Sequence, residues 1–328
     1  MNAKLKTVLK YVLSLLLAGV LLWLALRRVD WTAFMEGLKQ TRWGYIFPFV
    51  GASLGALVFR AFRWKLLLNA AGFRSKWLEV WDANNIGNLG NLAVPGAGEL
   101  IRCGYVNGKS GYANVLGTVL VERVWDILFV VLMIVFSLVL DQADFGPFFS
   151  ENIWEPLAGN PNFSLWWLVA ALVVILIVFF WLVFRYRGNS RFCAKIADAL
   201  SNIGKGFTSF LRMKRKALFL FYTVAIWFMY LLMTLSIQKA MPELSDLGLV
   251  DALFFCVLGN IASIIPVPGS MGAYHYLMAL AVSAIFAKSW ETGILFATLQ
   301  HELHAVLVLI LGAISYTRHS LKKRQQTA

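Results

Sequence analysis

The sequence predicts an all-α polytopic membrane protein, in which an inverted repeat contains two re-entrant helical hairpins broken by Pro and Gly. Three observations support this fold class. Of the 328 residues, 59% are hydrophobic and only 14% are charged, whereas a soluble domain has about 25% charged residues. Apolar stretches of bilayer length recur along the chain, and a Pro-Gly break occurs in each half. The composition excludes an ordinary soluble enzyme, a disordered chain and a secreted disulfide scaffold.

Six apolar stretches predict ordinary membrane spans within a single transmembrane domain over residues 1–328. They are Val8–Leu26, Tyr45–Phe62, Ala113–Leu140, Leu165–Phe184, Ala217–Gln238 and Gly293–Tyr316. The first is too long for the apolar part of a signal peptide and ends in Leu-Arg-Arg, so we expect an uncleaved helix. Two further stretches, Asp82–Val106 and Asp251–Ala287, are interrupted near their middle by Pro and Gly.

The distribution of Lys and Arg predicts the orientation in the membrane. The loop over 185–216 carries nine Lys and Arg residues, and the loop over 141–164 carries none. Basic loops stay in the cytoplasm, so both termini are expected there, in a protein of the cell inner membrane. The net charge of +13 is therefore attributed to cytoplasmic loops that attract anionic lipid. Nucleic acid is not expected as a partner, and the sequence leaves open whether the protein forms a homo-oligomer.

Self-similarity places one repeat over roughly 43–140 and another over roughly 217–316, with helices 8–26 and 165–184 flanking them. In each repeat an Asn-bearing apolar run leads to a Pro-Gly break and then to a helix with a Thr-x-x-x-Glu motif, Thr118–Glu122 or Thr298–Glu302. Basic segments bound the first broken stretch, whereas the second is bounded by segments predicted outside. The two hairpins then enter from opposite faces, as in many secondary transporters. Alternatively, Pro and Gly merely kink two ordinary helices.

The broken stretches supply the first candidate substrate-binding residues. Broken helices free backbone groups that need protein or water as partners in the membrane, and amides at a helix start can hold an anion. Arg is suited to binding phosphate with two hydrogen bonds. A Glu99–Arg102 pair that only stabilises the hairpin is the alternative, and the Asn residues are alternatively contacts between helices. The candidates are Asn88, Asn91, Pro95, Gly96, Gly98, Glu99, Arg102, Asn260, Pro268, Gly269 and His275.

Ionisable residues at membrane depth supply the other candidates. A charged group exposed to lipid costs at least ~2.5–3.5 kcal/mol, so these side chains must face protein or water. They form either a headgroup or proton site or an ion-pair network that locks helices together. His-Glu-Leu-His lacks the zinc-protease spacing and an evident third ligand, so neither a metal nor a cofactor is expected. These candidates are Glu122, Arg123, Asp126, His301, Glu302 and His304.

At these residues the sequence resembles the lysylphosphatidylglycerol synthase transmembrane region, also called the flippase-like domain family, over roughly 8–318. The resemblance is carried by Asn88-Leu-Gly-Asn91 with Pro95-Gly-Ala-Gly-Glu99-Leu-Ile-Arg102, by Glu122-Arg123-Val-Trp-Asp126, and by Pro266-Val-Pro268-Gly-Ser-Met-Gly272. In two-domain synthases the membrane part is implicated in moving the aminoacylated lipid, and a soluble domain makes it. Only about a dozen residues follow the last predicted span, so the resemblance implies translocation by a single-domain member without the aminoacyl-transferase domain.

We therefore expect a lipid translocase, not an enzyme, that moves a phospholipid or polyprenyl-linked lipid through a polar cavity at the membrane midplane. Arg102 and the Pro95–Gly98 backbone are expected to contact the phosphate. Glu122, Asp126, Glu302 and His304 are expected to neutralise an amine or to carry protons. The alternatives are a membrane enzyme or accessory subunit acting on lipid-linked substrates, a structural subunit, and a small-solute transporter.

Overall fold

A computed structural model describes residues 3–106, 111–155, 208–263 and 265–327, together with residues 174, 178, 181–183, 185, 186, 194, 197, 198 and 201. Every regular element in this part of the chain is helical, which confirms the all-α class. The predicted span 165–184 and the basic loop 185–216 lie largely outside the described residues. The bounds of the repeats and their re-entrant placement in a membrane stay predictions.

Along the described residues, long apolar helices alternate with pairs of shorter helices. The helices are α1 (Ala3–Leu26), α2 (Trp31–Gln40), α3 (Ile46–Ala70), α4 (Trp77–Ala93), α5 (Ala97–Tyr105), α6 (Tyr112–Leu140), α7 (Gln142–Phe149), α8 (Ser209–Arg212), α9 (Lys216–Ala240), α10 (Leu249–Ala262), α11 (Ala273–Ala284) and α12 (Trp290–Thr327).

Four described segments are long and apolar enough to cross a membrane: Trp43–Ala70, Tyr112–Leu140, Lys216–Ala240 and Trp290–Lys322. They contain α3, α6, α9 and the apolar part of α12. These helices confirm an integral membrane protein and agree with four of the predicted spans. Two boundaries differ, because α12 continues beyond the predicted end at Tyr316 to Thr327, and α3 continues beyond the predicted end at Phe62 to Ala70. This extension carries basic residues that the sequence pattern assigned to a loop.

Both predicted breaks separate a pair of helices. The first lies between α4 and α5, where Gly96 has a φ of +74°, a conformation that favours glycine. The helices pack antiparallel and very closely, since a Cβ on Gly98 would lie 2.0 Å from the carbonyl oxygen of Gly87. The Gly98 amide donates to Asn91 Oδ1 over 2.8 Å. A donor that would otherwise be unpaired at the start of α5 is thus satisfied.

The second break lies between α10 and α11 and includes the short turn Pro268–Ser270. Gly269 and Gly272 have positive φ values of +57° and +82°. The two breaks lie next to each other, because a Cβ on Gly269 would lie 3.6 Å from Leu92 Cδ2 at the end of α4. Helix α12 packs against both α4 and α11, while α3 packs along α9. The long helices therefore hold the two broken pairs together.

Candidate functional site

A cavity of about 960 Å³ lies between the two broken helix pairs and the long helices. Its volume is within the range of ligand sites, about 300–1,000 Å³. Both breaks contribute to its wall, through Pro95 and Gly96 on one side and Gly269 on the other. The sequence-predicted residues on the wall are Asn88, Asn91, Pro95, Gly96, Glu99, Arg123, Asp126, Asn260, Gly269, His301 and His304.

The remaining sequence-predicted residues lie behind the wall or beside it. Gly98 packs against Gly87 within the first hairpin. Arg102 and Glu122 are buried against one another. Pro268 begins the short turn at the second break, whereas His275 and Glu302 lie close to His301.

A buried ion-pair network joins α3, α5 and α6, with Arg63 and Asp126 on the cavity wall and Arg102 and Glu122 behind it. Arg63 Nη2 lies 2.7 Å from Asp126 Oδ1, and Arg63 Nε lies 3.6 Å from Glu122 Oε1. Arg102 Nη2 lies 2.7 Å from Glu122 Oε2, and its Nη1 donates to Asn84 Oδ1 over 2.9 Å. Because each buried charge faces an opposite one, the network avoids the cost of an isolated charge.

The indole ring of Trp64 packs against Arg102 of this network. The Arg102 guanidinium carbon lies 4.6 Å from the centre of the ring, a distance suited to a cation–π interaction. The indole Nε1 donates to Thr118 Oγ1 over 3.0 Å, and both residues are fully buried. The orientation of Arg102 is therefore determined by packing as well as by charge.

A second ion-pair group lies on the cavity wall itself. Arg123 pairs with Glu99 of α5, and its Nη1 lies 3.8 Å from Asp126 Oδ2. Local spacing suggested a Glu99–Arg102 pair. In the structure, packing of α5 on α6 places Glu99 beside Arg123 and Arg102 beside Glu122, and each forms an ion pair there.

Arg60 is a site residue that sequence reasoning missed. It lies on the cavity wall, and its Nη1 donates to the hydroxyl of Tyr230 over 3.1 Å. Among the described residues, no carboxylate oxygen lies within the 4.0 Å ion-pair distance of Arg60. The spacing of Arg60 and Arg63 was the signal that could have revealed them, because residues three apart on a helix share a face.

The arginine side of the cavity, opposite the histidines and Glu302, has an excess of positive charge. The wall and the network behind it contain four guanidinium groups and three carboxylates. The carboxylates pair with the arginines other than Arg60. This side of the cavity therefore favours an anion, and Arg60 is the wall arginine whose described partner is neutral.

An apolar strip of α6 borders the charged part of the cavity. Ile127, Val130, Val131 and Ile134 lie on the wall. The side of the helix that carries Ile127 and Val131 is open, since these residues are 62% and 52% exposed. A ligand in this cavity meets cationic and apolar surfaces at the same time.

Histidines lie on the opposite side of the cavity, near the second break. His301 Nε2 lies 2.5 Å from the carbonyl oxygen of Gly269, and His301 Nδ1 lies 2.8 Å from Glu302 Oε1. His275 Nε2 lies 3.8 Å from the same carboxylate oxygen. The side chain of His304 is directed at α3 instead, with Nδ1 3.4 Å from Ser53 Oγ. The structure thus groups His301 with His275 rather than with His304.

Comparison with known proteins identifies one family. A family model described as "Lysylphosphatidylglycerol synthase TM region" matches residues 11–312 of the 328 residues. No curated protein and no solved structure matches the chain. The matched region includes both breaks, the arginine network and the histidine group.

Proposed function

Because the chain belongs to the lysylphosphatidylglycerol synthase transmembrane-region family, we propose that it is a lipid translocase of the cell inner membrane rather than an enzyme. Its substrate is a phospholipid or a polyprenyl-linked lipid. Both termini lie in the cytoplasm, and the two broken helix pairs are re-entrant hairpins that enter from opposite faces. Basic loops in the cytoplasm contact anionic lipid.

The observation that carries this proposal is the excess positive charge on the arginine side of the cavity, which lies beside an apolar strip. Both surfaces are needed by a lipid, which has a phosphate at one end and acyl or prenyl chains at the other. Arg60 and Arg123 are the wall arginines suited to the phosphate, because a guanidinium offers two parallel hydrogen bonds to its oxygens. The chains lie along Ile127 and Val131, where the cavity opens toward lipid.

In this proposal Arg102 and Glu122 position the site and do not contact the headgroup. Their charged groups already pair with each other and lie behind the wall. A phosphate at Arg102 would have to break that buried pair, which is costly. Arg60 offers its charge without such a loss, because its described partner is the Tyr230 hydroxyl.

A lipid-translocation assay tests the proposal. Purified protein is reconstituted in vesicles with fluorescent phosphatidylglycerol, and dithionite quenching reports movement between leaflets. Arg60→Gln removes a charged hydrogen bond worth about 1.5–3 kcal/mol, so we expect translocation to slow roughly 10–100-fold. Arg60→Lys retains the charge and is expected to lose less. Arg74→Gln is the matched control, because Arg74 is exposed and does not line the cavity.

Two results would contradict the proposal. If folded Arg60→Gln protein moved lipid at the wild-type rate, Arg60 would not contact the headgroup during translocation. Equal uptake of glycerophosphoglycerol, which has the phosphate but no chains, would indicate a small-solute transporter. In that case the apolar strip of α6 has no part in substrate binding.

A further inference from the structure

The group at the second break, His275 with His301 and Glu302, has the composition and spacing of a metal site. The three residues each offer one ligand atom, and these atoms lie within 4.8 Å of one another. Ligands of a tetrahedral zinc ion with bonds of about 2.0–2.1 Å lie roughly 3.3 Å apart. Two of the contacts, 2.8 Å and 3.8 Å, already bracket that separation. No two of the three ligand atoms are more than 4.8 Å apart, so side-chain rotation is needed to bring all three to one ion.

The hydrogen bonding of His301 points to a cation at this place. A neutral imidazole has one donor and one acceptor nitrogen. The Nε2 atom faces the carbonyl oxygen of Gly269, which only accepts, so Nε2 carries the proton. The lone pair of Nδ1 then faces Glu302 Oε1, which also accepts when it is ionised. A metal ion between Nδ1 and Oε1 resolves this conflict, and the Nε2–H bond to Gly269 is the outer-shell contact typical of a ligating histidine.

His275 provides a second, independent observation. Its side chain is buried, with 4% exposure, and the Nδ1 atom has no hydrogen-bond partner in the described part of the chain. Its Nε2 atom is directed at Glu302 Oε1 but lies beyond hydrogen-bond distance, at 3.8 Å. A metal ion bound to the Nε2 lone pair would give a partner to the end of the ring that faces Glu302, with the ring proton on Nδ1.

We propose that His275, His301 and Glu302 bind a divalent transition metal ion, with zinc as the expected one. Two imidazoles and one carboxylate form a three-ligand set that leaves a fourth position for water. Magnesium and calcium prefer sets made only of oxygen atoms. His301 and Gly269 lie on the cavity wall, so the ion is at the edge of the cavity, opposite the arginines. The proposal does not depend on lipid translocation.

Zinc binding by the full chain tests the proposal. The protein is purified with an affinity tag that lacks histidine, stripped with EDTA, reloaded with zinc and analysed by elemental mass spectrometry. The background is low, because the chain has four histidines. We expect one zinc per chain and tetrahedral cobalt absorption after substitution. His275→Ala and Glu302→Gln are each expected to weaken binding by more than about 100-fold, beyond the loss typical of outer-shell changes.

His304→Ala and His319→Ala are the matched controls and should bind zinc as the wild type does. Zinc in excess should also raise the melting temperature of the wild type but not that of Glu302→Gln, a variant of nearly equal size that tests the site if His275→Ala fails to fold. Wild-type protein that retains no zinc, or variants that retain it equally, would overturn the proposal. The contact would then be an ion pair between a protonated His301 and Glu302.

Discussion

The buried network predicts that Glu122→Gln destabilises the protein strongly. Glu122 is 2% exposed, and its carboxylate faces the guanidinium groups of Arg102 and Arg63 at 2.7 Å and 3.6 Å. Glutamine has nearly the same size and shape, so packing is preserved. The change removes one negative charge and leaves Arg102 with Asn84 as its hydrogen-bond partner.

The magnitude follows from the charges that lose their partner. Two unit charges about 4 Å apart interact by about 4 kcal/mol at an effective dielectric constant of 20. Removal of one member of a buried pair costs about 3–5 kcal/mol. The amide carbonyl of the substituted side chain retains one hydrogen bond and Arg63 retains Asp126, so we expect a loss near ~3 kcal/mol, at the lower end of that range. For a large domain each kcal/mol lowers the melting temperature by about 2 °C, which gives a shift of roughly 6 °C.

Heating in detergent followed by size-exclusion chromatography measures this shift. Glu36→Gln is the matched control, since Glu36 is exposed on α2 and exposed charges contribute at most about 1 kcal/mol. A melting temperature of Glu122→Gln that equals the control would refute the reasoning. The double variant Glu122→Gln/Arg102→Gln should lose less stability than the two single variants lose together, because it leaves one unpaired charge fewer. Additive losses would show that the two groups do not interact.

Two further predictions concern packing. Gly98→Ala should prevent accumulation of folded protein in an expression assay, because the new Cβ would lie 2.0 Å from the Gly87 carbonyl oxygen and the backbone cannot move aside. Gly51→Ala is the control and should fold as the wild type does, because no atom lies within 4 Å of its new Cβ. Trp64→Phe should lower stability by about 1–3 kcal/mol, since it removes the buried hydrogen bond to Thr118 Oγ1; an unchanged melting temperature would contradict this.

Much of the fold follows from local features of the sequence. Pro95 with Gly96, and Pro266 to Gly272, end helices because of their own backbone restrictions, whatever surrounds them. Long apolar runs likewise predict spans from composition alone. The end of α3 was predicted too early because the basic residues that follow Phe62 were assigned to a cytoplasmic segment after the span. The partners of Arg60 and Arg63, Tyr230 and Asp126, lie far away in the sequence, so local patterns do not indicate these contacts.

The same limitation applies to the candidate site. Sequence analysis identified Glu99, Arg102, Glu122 and Arg123, but helix spacing does not determine which acid pairs with which arginine. The distances between α5 and α6 decide that Glu99 pairs with Arg123 and Glu122 with Arg102. Likewise, His275 is 26 positions from His301, and only the packing of α11 on α12 brings the two imidazoles together.

In the proposed function, the partners of the arginines also determine where an anionic headgroup would bind. At Arg63 or Arg102 a phosphate must displace a buried carboxylate, and breaking such a pair costs about 3–5 kcal/mol. At Arg60 it displaces the Tyr230 hydroxyl. A hydrogen bond to a charged group contributes about 1.5–3 kcal/mol, and phosphate offers two such bonds where the phenol offers one. Exchange at Arg60 is therefore the more favourable, and in the proposed function the network behind it would hold the cavity in shape while the headgroup enters and leaves.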